Sequence, residues 1–189
     1  FLGGSTSLPG IVTSVTAASG GHPELAVSNA IGGIAAQTAF LAIADMTYPK
    51  ANLEHAAVSV PNLMQGTLLS ILLAFTLVAA DGPEVDILRV HPVSLLLIGI
   101  YAYGLHLISE ARREPMWGPR QTEETREDVP EEEGPAQMGL AAMWLRFAGY
   151  AAILGGAGFL VARSGVAITK MTGLSETAVG GLFTAVSTS

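Results

Sequence analysis

The stretch AAVSVPNLMQGTLLSILLAFTLVAA, residues 56–80, contains no charged side chain. A transmembrane helix needs about 20 consecutive, mainly apolar residues, and this stretch meets that length. A helix of a soluble bundle, which is the competing interpretation, would carry charged residues along one face at a spacing of 3.6 residues. The stretch therefore predicts a helix that crosses a lipid bilayer.

Apolar segments of similar character lie on both sides of residues 56–80. They cover residues 8–18, 25–44, 93–109, 140–161 and 177–189. Because lipid offers the backbone no hydrogen-bond partners, each of these segments is predicted to be a helix. The expected fold class is all-α transmembrane, with about five to six helices judged by the length rule.

The composition agrees with this fold class. Half of the residues are hydrophobic (50%), only 13% are charged, and the mean hydropathy is +0.47, whereas a soluble domain carries about 25% charged residues. The net charge of −7 comes mainly from the Glu-rich stretch between Glu110 and Glu133. Nucleic-acid binding requires basic patches, so we expect no nucleic-acid partner, and the expected partners are the lipid bilayer and small cations.

The polar stretch at residues 110–138 contains several prolines among its acidic residues and is predicted to be a flexible loop. Basic residues near the ends of spans mark the cytoplasmic side. Arg112 and Arg113 follow one span, and Lys50 follows an earlier one on the same side, so we expect the loop to be cytoplasmic. Arg163 and Lys170 depart from this pattern, because they follow a span on the opposite side. We expect a multi-pass protein located in the cell membrane.

The ends of the chain lie in apolar text rich in Gly and Ser, and the first residue is Phe1. No basic start followed by a short apolar core and a cleavage site is present, so the pattern of a signal peptide is missing. We therefore expect an internal fragment whose partner is the other part of the same full-length protein. The chain has no cysteine, so no disulfide is expected.

The sequence GGSTSLPG, residues 3–10, places small polar residues before a proline inside an apolar context. Proline removes a helix donor, and glycine permits non-helical dihedral angles, so Gly4, Pro9 and Gly10 predict a helix break at membrane depth. The hydroxyl groups of Thr6 and Ser7 are hard oxygen donors that suit Na⁺ or Ca²⁺. A proline kink with packing glycines and serines explains the local sequence equally well.

The sequence SNAIGG, residues 28–33, is a second polar interruption, and Gln37 follows it. Asn29 and Gln37 are costly inside a membrane span unless their polar atoms are satisfied. The glycines Gly32 and Gly33 extend the predicted helix break to this span. Close helix packing at small residues is the alternative, and it is favoured for these residues taken alone.

The sequence AVSTS, residues 185–189, repeats the pattern of residues 3–7 in a similar Gly-rich apolar context. Corresponding helix interruptions in two halves of a chain point to a transporter built from inverted repeats. The second interruption therefore favours a transport function.

With these motifs in place, the chain resembles the sodium/calcium exchanger family of cation antiporters. The repeats of that family carry a Gly-Thr-Ser-x-Pro-Glu core and, in the next helix, the motif Gly-Asn-x-Ile-Gly-Ser-Asn. Residues 5–10 resemble the core, residues 28–37 resemble the next helix, and residues 172–189 resemble the opening of the second repeat.

The resemblance implies an inverted-repeat cation exchanger fold and a secondary active cation antiporter, with no enzymatic chemistry and no cofactor besides the transported cation. Five positions match the family's ion ligands, with an amide on a longer arm at position 37 in place of asparagine: Thr6, Ser7, Gln37, Thr188 and Ser189. No other metal site is expected, because the four histidines have no ligand spacing.

Three positions depart from the family's pattern. Gly10 replaces the glutamate of the core, Gly33 replaces a serine, and Ile34 replaces an asparagine. Calcium affinity depends on the number of charged oxygens, so the hypothesis is weakened calcium binding and a cargo of Na⁺, Ca²⁺ or H⁺. A non-transporting or regulatory membrane homologue, and an unrelated channel or transporter, remain alternatives.

The implied organisation has four parts. They are a partial first repeat at 1–48, peripheral transmembrane helices at 56–109, the acidic loop at 110–138, and a long transmembrane helix with the start of the second repeat at 139–189.

Overall fold

The structure is a computed structural model, and it describes residues 6–50, 57–80, 82, 90–113, 117 and 139–189. Its regular elements are helices: α1 (Leu8–Ser19), α2 (Pro23–Thr47), α3 (Val60–Ala80), α4 (Pro92–Arg113), α5 (Leu140–Thr172), α6 (Glu176–Ala178), a π-helical turn (Val179–Thr184) and α7 (Ala185–Thr188). Residues 176–189 together are called the C-terminal segment below. Most of the loop predicted at 110–138 lies outside the described residues.

Four helices, α2 to α5, are long and apolar enough to cross a membrane. The all-α transmembrane class predicted from the sequence is therefore confirmed. With 33 residues, α5 is the longest of the four, and at a rise of 1.5 Å per residue it is about 50 Å long. The hydrocarbon core of a bilayer is only about 30 Å thick, so α5 extends beyond it.

The chain divides into two compact units, one formed by residues 1–47 and 129–189 and the other by residues 48–128. In the first unit, α1 packs against both α2 and α5, and the C-terminal segment packs mainly on α2. This unit contains a small cluster of buried apolar residues, Ala17, Leu25, Ala26 and Val179. In the second unit, α3 and α4 pack against each other, and Leu68 lies so close to Gly104 that a side chain there would clash with it.

The first turn of α1 explains why a proline is tolerated there. Pro9 lies near the helix start, where its missing N–H would have had no acceptor within the helix. The backbone oxygen of Pro9 packs on α5, where a Cβ atom added to Gly158 would lie only 2.4 Å from it. Thr13, one turn later, donates a hydrogen bond of 2.9 Å to the Gly158 oxygen. The proline therefore begins a helix and fixes its contact with α5.

The predicted helix break needs a correction in the second helix. α2 is continuous through Gly32 and Gly33, so the break predicted there is wrong. The physical reason is packing, because a Cβ atom at Gly32 would lie 2.3 Å from the backbone oxygen of Gly181. In the first helix the interruption falls at Ser7, and Gly10 is already helical. Gly4 lies outside the described residues.

Candidate cation site

Glycines bring the C-terminal segment into backbone contact with α2. A Cβ atom at Gly180 would lie 2.6 Å from the backbone oxygen of Leu25, and the contact of Gly32 with Gly181 is closer still. At such short separations the polar side chains beside the glycines can reach across from one helix to the other. The polar contacts described next depend on this approach.

The π-helical turn at Val179–Thr184 directs a threonine into the contact. In this wider turn the N–H of Ala185 donates to the oxygen of Gly180. The hydroxyl of Thr184 lies 3.0 Å from the same oxygen, and the residue is only 2% exposed. Single π-helical turns inside α-helices occur frequently at functional sites.

Asn29 connects three parts of the first unit. Its Oδ1 accepts a hydrogen bond of 2.7 Å from the Thr184 hydroxyl, and its Nδ2 donates to Ser14 Oγ at 3.1 Å and to the Gly10 oxygen at 3.4 Å. The residue is 2% exposed. Because both amide hydrogens and the amide oxygen are engaged, Asn29 holds α1, α2 and the C-terminal segment together.

A cavity of about 420 Å³ lies beside these contacts and is called the oxygen-lined cavity. Its polar lining consists of three hydroxyl groups from serines, one threonine hydroxyl and two amides, contributed by Ser7, Ser14, Asn29, Gln37, Thr188 and Ser189. No carboxylate is among the described residues that line it. The cavity can therefore surround a cation with neutral oxygen atoms.

Four of the five predicted ion ligands line the oxygen-lined cavity, namely Ser7, Gln37, Thr188 and Ser189. Thr188 and Ser189 bond mainly to carbonyls of their own helical turn, at 3.0 Å from Thr184 O and 2.7 Å from Ala185 O. The structure does not bring Thr6 to the cavity. Thr6 is exposed and lies before the interruption at Ser7, whereas Ser7 directly precedes α1.

The predicted helix-break residues separate into two groups. Gly10 and Gly33 line the cavity, and a Cβ atom at either would make only ordinary contacts, at 3.7 Å from Thr188 Oγ1 and at 3.6 Å from Ser189 Oγ. Pro9 and Gly32 instead serve helix packing, as described above. The position where the family carries a glutamate therefore faces the cavity and has room for a side chain.

Two polar residues at the contact between α1, α2 and the C-terminal segment, Ser14 and Thr184, were not identified as site residues from the sequence. In hindsight, the spacing of both residues is informative, since residues three, four or seven positions apart share a face of a helix. Ser14 follows Ser7 by two turns, and Thr184 precedes Thr188 by one turn. The spacing could have placed them near the site, but not the partner that each one bonds to.

A second polar contact joins the same two helices closer to their starts. Nδ1 of His22, which precedes α2, lies 2.5 Å from Oε1 of Glu176 in α6. Ser175 caps α6, accepting a hydrogen bond of 3.2 Å from the N–H of Ala178. His22 with Glu176 and Asn29 with Thr184 show that α2 and the C-terminal segment run in the same direction from a common end.

Comparison with known proteins gives one match. The family model described as sodium/calcium exchanger protein matches residues 1–108 of the chain. No curated protein and no solved structure matches it. The matched range is more than half of the chain and contains α1 and α2, which form one side of the oxygen-lined cavity.

Proposed function

The chain belongs to the sodium/calcium exchanger family, and from this premise we propose that it is a secondary active cation antiporter whose cargo binds in the oxygen-lined cavity. The family is one of membrane transporters and not of enzymes. Because the chain belongs to this family and has four helices able to cross a bilayer, it is part of an integral membrane protein.

The observation that carries the proposal is the convergence of oxygen donors from three separate elements. Ser7 directly precedes α1 and Ser14 lies in its middle, Gln37 lies in α2, and Thr188 and Ser189 lie in the C-terminal segment. Polar side chains at membrane depth are costly and mark ion pathways. A site between two repeats is also the arrangement that alternating access uses, because one repeat can rock against the other around it.

The cargo that fits this lining best is a monovalent cation. Calcium is bound by six to eight oxygens, and its affinity rises with the number of charged ligands, whereas the described residues of the cavity supply only neutral oxygens. Proton transfer through the cavity would need a titratable group among these lining residues, and they include none. We therefore propose Na⁺ as the bound ion, with Gly10 as the reason why calcium binds weakly.

The orientation proposed from the basic residues is supported by the geometry of the first unit. The contact of His22 with Glu176 puts the start of α2 and the end of α5 on one side. The end of α2, followed by Lys50, and the start of α5, preceded by residues 110–138, then share the other side. From the positive-inside tendency we infer that the shared side is the cytoplasmic one, and we propose the cell membrane as the location.

One observation favours a second candidate, a membrane homologue that does not transport. The cavity lacks a carboxylate among its described residues, and Ile34 lines it where the family has an asparagine. An apolar residue there reduces the number of ligands for a cation. Such a homologue would keep the fold but would not carry cations across the membrane.

The test is an isotope-flux assay with the full-length protein in proteoliposomes, with protein-free liposomes as the control. We expect ²²Na⁺ inside the vesicles to exchange for external Na⁺ without calcium, and a sodium gradient to drive little ⁴⁵Ca²⁺ uptake. Robust sodium-driven calcium uptake would refute the monovalent cargo. Absence of flux for both isotopes would favour the non-transporting homologue.

A further inference from the structure

A second polar cavity lies at the other end of the first unit, where α1 ends beside α5. Its volume is about 330 Å³, and its lining includes Gly20, His22, Arg163 and Lys170. Arg163 and Lys170 are seven positions apart on α5, so they lie on the same face of the helix. We call this cavity the basic pocket.

The cations of the basic pocket have no acidic partner in the described part of the chain. No carboxylate lines the pocket, and the ion pairs among the described residues are His22 with Glu176 and His106 with Glu110. The guanidinium of Arg163 lies 5.9 Å from the centre of the Phe159 ring, a contact that leaves its N–H donors available. Arg163 and Lys170 therefore face a space that no carboxylate lines, while the His22 imidazole is already paired with Glu176.

Several helix carbonyls near the pocket already have backbone partners. At the end of α1 the backbone N–H groups of Gly20 and His22 donate to the oxygens of Thr16 and Ala17, at 3.0 and 2.9 Å. At the end of α5 the N–H of Gly173 donates to Thr169 O at 3.0 Å. These three carbonyls do not need a basic side chain, whereas Lys170, in the last turn of α5, is also favoured by the negative end of that helix.

The position of the pocket across the membrane indicates which kind of ligand could bind there. Between Arg146 and Arg163, α5 has no charged residue, and this interval is close to the length that spans the hydrocarbon. Arg163 and Lys170 then lie at the level of the lipid headgroups. Next to them on α5, Phe159 and Leu160 are exposed by 46% and 64%, as residues beside acyl chains would be.

We propose that the basic pocket binds the phosphate group of an anionic phospholipid, with Arg163 and Lys170 as the charged ligands. Arginine and lysine side chains bind phosphate oxygens through charge-assisted hydrogen bonds. The proposal also explains why two cations depart from the positive-inside tendency. It does not depend on which cation the protein transports, or on whether it transports one.

The test measures the melting temperature of the full-length protein in detergent micelles against added phosphatidylglycerol. Phosphatidylcholine and inorganic phosphate are added in separate arms. The variants are Arg163→Gln and Lys170→Gln, and the matched control is Arg146→Gln, which removes the same charge at the opposite end of α5, outside the pocket. We expect phosphatidylglycerol to stabilise the wild type and the control equally, and each pocket variant to bind it about fivefold more weakly.

Three outcomes decide the proposal. Equal stabilisation of all four proteins by phosphatidylglycerol, or no stabilisation of any, would overturn it. A shift caused by phosphatidylcholine as large as that caused by phosphatidylglycerol would overturn the role of charge. A shift by inorganic phosphate that both pocket variants lose would support the phosphate chemistry and assign the pocket to the free anion.

Discussion

The hydroxyl of Thr184 donates a hydrogen bond of 2.7 Å to Oδ1 of Asn29, across 155 positions of the sequence. Both residues are 2% exposed. Because Nδ2 of Asn29 also reaches Ser14 and Gly10 on α1, this contact determines how the walls of the oxygen-lined cavity stand relative to one another.

Replacing Asn29 with leucine, which has a similar size, should destabilise the first unit. The change removes three hydrogen bonds and leaves the Gly10 oxygen without the Asn29 donor, at a cost of roughly 1–3 kcal/mol. Ser14 and Thr184 each keep a second partner, the oxygens of Ala26 and Gly180, which limits the loss. Thermal melting in detergent measures it.

The control for this change is Gln37→Leu, at an exposed residue on the cavity. It should lower the melting temperature much less than Asn29→Leu. Equal melting temperatures for Asn29→Leu and the wild type would show that the contact with Thr184 does not hold the elements together.

Two adjacent glycines should respond very differently to alanine. In Gly32→Ala the new Cβ would lie 2.3 Å from a backbone oxygen of Gly181, so a helix must move, whereas in Gly33→Ala it would lie 3.6 Å from a side-chain oxygen of Ser189. We expect Gly32→Ala to cost about 1–3 kcal/mol through overpacking, and Gly33→Ala to be tolerated. If both variants melt like the wild type, α2 and the C-terminal segment do not pack as described.

A carboxylate at position 10 should shift ion preference toward calcium. The site has room, since a Cβ atom at Gly10 would lie 3.7 Å from Thr188 Oγ1, and a charged ligand favours a divalent cation. We expect Gly10→Glu to raise sodium-driven ⁴⁵Ca²⁺ uptake in proteoliposomes. The control is Gly10→Gln, with the same shape and no charge, which should not raise it, and equal uptake by both variants would refute the role assigned to charge.

Cysteine labelling can show whether a cation reaches the cavity. Residues 1–189 contain no cysteine, so Ser189→Cys places a new thiol on the oxygen-lined cavity, and labelling is compared with the parent protein. We expect a small water-soluble thiol reagent to label it, and Na⁺ to slow the labelling by occupying the cavity. Ser187→Cys, two positions away and outside the cavity lining, should be insensitive to Na⁺, and a Ser189→Cys rate that does not depend on Na⁺ would exclude binding beside it.

Much of the helical architecture could be predicted from local properties of the sequence. The uncharged stretch at 56–80 matches α3 closely, because the length of an apolar span follows the thickness of the bilayer. The apolar run at 140–161 gives the start of α5 but not its end at Thr172, because α5 extends beyond that thickness. The candidate ligands Ser7, Thr188 and Ser189 could also be found from local sequence, because small polar residues are easily recognised within an apolar segment.

The contacts between helices could not be predicted in the same way. Gly32 and Gly33 look alike in sequence, yet the first packs on a backbone and the second faces a cavity. Thr6 and Ser7 are neighbours, and only Ser7 lines the cavity. Such differences depend on how one helix packs against another. The π-helical turn at Val179–Thr184, whose last residue bonds to Asn29, is likewise not indicated by any periodicity of the sequence.

The most direct test of cation transport through the cavity compares Thr188→Val with Ser187→Ala in a ²²Na⁺ exchange assay on proteoliposomes. Valine keeps the shape of Thr188 and removes its cavity oxygen, whereas Ser187 is exposed and bonds only to Phe183 O at 2.7 Å among the hydrogen bonds of the described residues. We predict that Thr188→Val lowers the apparent Na⁺ affinity by about tenfold, the effect of one ligand, while Ser187→Ala exchanges like the wild type. Sodium exchange by Thr188→Val at the wild-type rate and affinity would contradict the account.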